Sequence, residues 1–264
     1  MAHTVADAFA HGRPALITYL MAGYPDRAAS LAAVRAAAAA GADLIELGVP
    51  YGDPLADGPT IVDAAAVARC ANPGGFGLAE TLDLAAELTA DPAMPPVVLM
   101  TYLNPMLRFG LPRLAEVAAG AGVAGFIVPD LPVDSPFAVK WSADAHGAGL
   151  STVFLAAPTS TDDRLTAVAA GSTGFIYCVS SVGVTGERAS LPDDLPELIE
   201  RVRAARGSSA LPIAVGFGIS TPEQAARVAS IADGVVVGSA IVKRQGDVGE
   251  LASFVAGLAA AVRG

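Results

Sequence analysis

The strongest constraint in this sequence is a repeat of texture rather than of letters. Eight short apolar runs, many of them rich in β-branched residues, alternate with alanine-rich helical stretches along 264 residues. The runs fall at residues 15–21, 43–49, 96–102, 124–129, 150–155, 174–179, 211–215 and 233–237. Strands that are apolar on both faces belong in a parallel sheet covered on both sides. Their alternation with helices makes the class α/β. Eight such units either close into a barrel or open into a large doubly wound sheet. Strand starts recur at roughly 25 residues, about one βα unit each, and this regularity favours the closed barrel. No Ser- or Pro-rich linker and no block of charge divides the chain, so a single domain over residues 1–264 is expected. Residues 5–12 read as an extra short helix that covers the bottom of the barrel.

Charge and composition narrow the function. Only 16% of residues are charged and 53% are hydrophobic, the reverse of a disordered chain. The net charge is −10. That balance disfavours nucleic acid, which needs clustered Lys and Arg, and it disfavours an anionic membrane surface. Two cysteines, Cys70 and Cys178, make no disulfide framework and suggest a reducing compartment. The opening MAHTVADAFAHGR lacks the apolar stretch of a secretory signal, and no run reaches about 18 apolar residues. The expected location is cytoplasmic.

Two connections are longer than the rest, after the second and the sixth apolar run. In a βα barrel the loops that follow strands build the catalytic face. Residues 50–60 and 180–191 therefore stand out. Just before the first of them, Glu46 lies inside the apolar run DLIELGV. A carboxylate in such a run is either an ion-pair partner or a general acid whose pKa is raised by its apolar walls. The pattern leaves its face open, and its place near the end of a barrel strand favours chemistry. The loop PYGDPLADGPT adds Asp53 and Asp57. Asp-Pro and Asp-Gly are ordinary turn pairs. Beside Glu46, however, a second carboxylate allows one group to move a proton while the other stabilises charge.

Near the C-terminus, VGFGISTP (215–222) and VGSAIV (237–242) each join a β-branched strand to a helical stretch through glycine. Loops after the seventh and eighth strands are the recurrent phosphate site of barrels, where backbone N–H groups face the anion. Gly216, Gly218 and Gly238 are candidates, with tight turns as the plain alternative. In VGVTG (182–186), Gly186 is a further candidate donor and Thr185 a candidate lid residue. Tyr102 and Tyr177 end the third and sixth runs. They read equally as core residues or as pocket lining. Trp141 and Cys178 read as core. His3, His11 and His146 fall outside every loop singled out, so neither a His triad nor a metal site is expected.

Several stretches carry a family resemblance: LITYLMAGYP (16–25), ELGVPYGDPLADGPT (46–60), MTYLNPML (100–107), FIVPDLPVD (126–134), FIYCVSSVGVTG (175–186), VGFGIST (215–221) and VVVGSAIVK (235–243). In this order they resemble the tryptophan synthase alpha subunit family over nearly the whole chain. The resemblance implies a (βα)8 TIM barrel that cleaves indole-3-glycerol phosphate to indole and glyceraldehyde 3-phosphate. It implies Glu46 as general acid/base and Asp57 as the second catalytic carboxylate. It further implies Tyr177 at the substrate, Thr185 on the closing loop, and Gly186, Gly218, Gly238 and Ser239 around the phosphate; Tyr102 and Gly216 stand beside them as candidates from their positions alone. No metal or organic cofactor is implied on this chain. Pyridoxal phosphate is expected only on a partner beta subunit, in an alpha2-beta2 assembly.

The chain departs from the family at Gly52, where serine is usual, at Val62, where glutamine is common, and in the broken turn at 71–77. In the family this region contacts the beta subunit. A stand-alone lyase releasing free indole is therefore a second reading, and a non-catalytic activating subunit a third. Retention of Glu46 and Asp57 speaks against the third. It also argues against another phosphate-binding barrel such as an isomerase.

Overall fold

In the computed structural model, residues 3–179, 192–216 and 218–264 are described. Along the chain, α1 (Val5–Phe9) precedes β1 (Ala15–Met21), and α2 (Arg27–Ala39) leads into β2 (Leu44–Gly48). Two helices, α3 (Pro59–Ala71) and α4 (Leu78–Thr89), precede β3 (Val97–Met100). Two more, α5 (Leu103–Phe109) and α6 (Leu111–Gly120), precede β4 (Gly125–Ile127). Next come α7 (Pro136–Gly147), β5 (Ser151–Val153), β6 (Leu155–Ala156), α8 (Asp162–Gly171) and β7 (Ile176–Val179). The chain ends with α9 (Leu195–Arg206), β8 (Ile213–Gly216), α10 (Pro222–Ala229), β9 (Gly234–Val237), α11 (Ser239–Val242) and α12 (Val248–Arg263).

All pairings are parallel, in the order β5-β4-β3-β2-β1-β9-β8-β7-β6. The two ends of that order, β5 and β6, are consecutive in sequence and separated only by Phe154. The sheet therefore comes round on itself, and the circle is completed through the chain. This is the expected barrel with one refinement: the fifth run forms two half-strands. The Phe154 N–H is diverted to Ser172 Oγ at 3.2 Å, while β5 pairs with β4 and β6 with β7. Each half thus belongs to a different neighbour.

Every residue of β1 is buried, as are all residues of β2, β3, β7, β8 and β9. That is why these strands read as unbroken apolar runs. Helix starts are marked locally. The side chains of Asp26, Ser135, Thr161, Thr221 and Asp247 accept first-turn N–H groups. Proline in the first turn opens α3, α6, α7, α9 and α10. The long connection after β2 is mostly α3 and α4, so its loop proper is short, residues 49–58. The long segment after β7 (180–191) lies outside the described residues. The N-terminal helix plugs the lower end as expected: Val5 is buried, and the Phe9 ring lies 5.7 Å from that of Phe175.

The lower rim is locked by Asp43, which enters β2. Its carboxylate takes both Arg13 guanidinium nitrogens at 2.8 and 2.9 Å and the Leu16 N–H at 2.9 Å. Arg263 of α12 approaches at 3.4 Å. Burial pushes the Asp43 pKa up, but hydrogen bonds from Arg13 and Leu16 and the charges of Arg13 and Arg263 outweigh it. The group sits below its ordinary value of 3.8. The stabilisation from this network is therefore present above pH 3.8 and is lost as pH falls through the lower folded-state pKa. Replacing Asp43 with Ala leaves a partly buried guanidinium and a buried N–H without their acceptor. Urea unfolding at pH 7 is expected to show a loss of about 3 kcal/mol, and the difference from wild type should close as pH drops below 3.8.

Candidate active site

Glu46 stands third in the five-residue strand β2, beside Tyr19 of β1 and Val98 of β3 in register. Its side chain points into the barrel interior. There it lines a narrow cavity at the C-terminal ends of the strands together with Tyr19, Asp57, Tyr177, Gly218, Gly238 and Ser239. The remaining wall is apolar and includes Ile61, Met100, Ile127, Leu155, Ile219 and Val236. The face left open by the sequence pattern is thus settled by register. The cavity is largely apolar, with two carboxyl groups in its lining.

The two carboxyl groups differ in a way that suits them to different tasks. Glu46 is 3% exposed, and burial, aided by the negative charge of Asp57, raises its pKa to about 8. Asp57 is raised by burial to about 6, with hydrogen bonding from Tyr102 opposing the shift. Between these values Glu46 is an acid and Asp57 an anion. One oxygen of each, Glu46 Oε2 and Asp57 Oδ1, is buried without a hydrogen-bond partner among the described residues. A buried polar atom without a partner costs about 1–3 kcal/mol, so both atoms are free to pair with a bound molecule.

Tyr177 lines the cavity, as the sequence suggested. The space where Gly216 would carry a Cβ is filled by the Tyr177 hydroxyl, so this glycine lets the phenol of β7 lean across β8. Gly48 does the same for Tyr19, two residues along the strand from Glu46. Gly218, at φ +85°, Gly238 and Ser239 line the same cavity. Tyr102 sits behind Asp57 and not in the lining. Its hydroxyl accepts the Ala56 N–H at 3.2 Å, and its ring lies 5.4 Å from that of Tyr51. It therefore positions the Asp57 loop. Thr185 and Gly186 lie outside the described residues. Trp141 and Cys178 are buried core residues, as expected. Asp53 is exposed and is not part of the cavity lining.

Tyr19 and the apolar wall were not legible in the sequence. In a strand buried on both faces, alternation cannot separate barrel-facing from helix-facing residues. The signal that was present is Gly48, a small residue two positions after a buried acid.

The family model described as tryptophan synthase alpha chain matches residues 5–260. The chain belongs to the tryptophan synthase alpha chain family. Curated relatives with that name include one from Solibacter usitatus, 50% identical over 231 residues, covering 88% of this chain and 83% of the relative. Another, from Streptomyces avermitilis, is 44% identical over 243 residues, covering 92% and 84%. Among solved structures, Mycobacterium tuberculosis tryptophan synthase superposes with a TM-score of 0.89 at 42% identity, covering 100% of this chain and 99% of that one. The alpha subunit from Legionella pneumophila superposes with a TM-score of 0.83 at 30% identity, covering 98% and 96%. Membership of this family makes the chain a carbon–carbon lyase that cleaves indole-3-glycerol phosphate, so neither the silent-subunit reading nor the stand-alone reading is favoured. Among the described residues, no helix is long and apolar enough to cross a membrane.

Two outcomes follow from the paired carboxyl groups. The pH profile of kcat/KM is expected to be bell-shaped, with limbs near 6 and 8. Stability should respond as well. The folded Glu46 pKa lies above its unfolded value of 4.5, so its contribution is complete below pH 4.5 and is lost as pH rises to about 8. Glu46→Gln stays neutral, so chemical denaturation should find it more stable than wild type by roughly 5 kcal/mol at pH 9 and no more stable at pH 4.

Proposed function

We propose that Glu46 is the general acid/base and Asp57 the charge-stabilising carboxylate of the cleavage. The scissile bond joins indole C3 to the hydroxyl-bearing carbon of the glycerol chain. It breaks in a retro-aldol sense only after C3 has been protonated. Glu46, neutral at pH 7, delivers that proton. The ring becomes an indolenine-like cation, and Asp57 accepts the N1–H hydrogen bond and stabilises the charge. The Glu46 carboxylate then removes the proton from the adjacent hydroxyl. As the C=O bond forms, the electrons of the C3–carbon bond return to the ring, indole leaves, and Glu46 is again protonated. Each proton transfer is worth about 10²–10⁴-fold. The scheme draws on side chains alone and calls for no metal or organic cofactor on this chain.

The observation that carries this reading is the pair of buried, unpartnered carboxylate oxygens facing an apolar cavity. An indole ring is flat and apolar with a single N–H, and the neighbouring substrate group is an O–H. Ile61, Met100, Ile127 and Leu155 supply the apolar surface. We assign the phosphate to the loops of Gly216, Gly218, Gly238 and Ser239, with Thr185 and Gly186 closing from the long loop after β7. Gly218 and Gly238 bring backbone close to the cavity, and Ser239 begins α11. The loops VGFGIST and VVVGSAI contain no Lys or Arg, so backbone N–H groups would hold the anion whatever the net charge. The partner in this reading is a beta subunit carrying pyridoxal phosphate, joined in an alpha2-beta2 assembly in the cytoplasm. The likeness to a whole tryptophan synthase supports that partnership.

Steady-state cleavage of indole-3-glycerol phosphate, with and without the beta subunit, tests the assignment. Glu46→Gln is expected to abolish turnover while substrate still binds. Asp57→Asn is expected to lower kcat by about 10²-fold or more, because the cation loses its counter-charge. Near-normal turnover in Glu46→Gln would remove Glu46 from the mechanism.

A further inference from the structure

Beside the catalytic mouth lies a second, open cleft of about 480 Å³, built from the loop after β2, the α3–α4 turn and α5. Two arginines reach it, Arg69 from α3 and Arg108 from α5. Neither has an ion pair or a side-chain hydrogen bond among the described residues, although most arginines elsewhere in this acidic chain are paired with carboxylates. Asp53, also in the cleft, is the single opposing charge there. Arg69 occupies a specific seat. A Cβ on Gly52 would lie 2.5 Å from Arg69 Nη1 and 3.0 Å from Cζ. The guanidinium thus lies directly over Gly52, in space that any larger residue would take. Glycine, where the family usually has serine, leaves that space to the guanidinium.

The floor of the cleft is firm. Asn104 Nδ2 donates to the Tyr51 hydroxyl at 3.0 Å, and Tyr51 packs on Tyr102, which braces the Asp57 loop. An occupant of this cleft therefore presses on residues that position a carboxylate of the active site.

We propose that this cleft seats a carboxylate side chain of the partner beta subunit between Arg69 and Arg108. This rests on the reading that a beta subunit docks on this face of the barrel. On a chain of net charge −10, two arginines without an ion pair among the described residues, set against one aspartate, make this cleft complementary to an acidic group. A guanidinium suits a carboxylate because it offers paired donors in one plane. Gly52 keeps that plane accessible.

The test is the dissociation constant of the complex with the beta subunit of the same organism, measured by titration calorimetry at low and at physiological salt. Arg69→Glu and Arg108→Glu are each expected to weaken binding about 10-fold or more and to flatten its salt dependence. Gly52→Ser, which changes no charge but displaces the guanidinium, is expected to weaken binding about 3-fold or more. Thermal melting of each variant should match wild type, because Arg69 and Arg108 make no ion pairs among the described residues. Wild-type binding with affinities unchanged in all three variants would overturn the carboxylate seat and leave the partnership standing. Failure of the wild-type chain to bind the beta subunit would overturn both.

Discussion

A carboxyl group inside an apolar barrel is the constraint around which this structure is arranged. Register fixes Glu46 on the interior face of β2, where burial makes ionisation costly and holds the group protonated near neutrality. Among the described residues one of its oxygens, Oε2, has no hydrogen-bond partner. A fold optimised for stability alone would place an apolar residue there. The strands around it supply the needed rigidity, and the Asp43 network at the opposite rim anchors β1, β2 and α12 with ordinary, fully partnered ionic bonds. Strain at the upper end and satisfaction at the lower end match the usual division of a barrel into a reactive face and a stabilising one.

Asp57 is handled differently from Glu46, and that difference makes the site asymmetric. It arrives on a loop and not on a strand, and its environment includes the Tyr102 hydroxyl. Hydrogen bonding offsets part of its burial, so it ionises first. Its position then depends on a short chain of contacts, from Tyr102 to Tyr51 to Asn104, that surfaces in the Arg69–Arg108 cleft. The active-site cavity and that cleft are thus linked by one set of aromatic side chains. One carboxyl group stands on a rigid strand, and the other on a loop tied to the cleft.

Much of this was legible in the sequence because the barrel writes itself in strand texture. The first strand occupies the expected residues 15–21, and the others lie within their apolar runs or extend by one residue. The bounds differ because residues next to a strand stay buried after the ladder hydrogen bonds stop. The split at Phe154 was not legible, since it depends on where a neighbouring Ser172 places its hydroxyl. Glu46 and Asp57 stood out as acids in apolar or turn-rich company. Tyr19 did not, because a phenol in a strand buried on both faces has no pattern to mark its side. Tyr102 was legible as a site residue but not as a brace, which requires the loop's path. Gly52 was visible as an oddity, and only the placement of Arg69 shows what fills its space.

The central claim is that Glu46 is a neutral acid in the resting protein at pH 7. Infrared difference spectroscopy of wild type against Glu46→Gln reads this directly, through the carbonyl stretch of a protonated carboxylic acid. The account predicts such a band at pH 7, absent from the variant, fading as pH rises through about 8. A wild-type spectrum at pH 7 with only the carboxylate bands of an ionised Glu46 would contradict it.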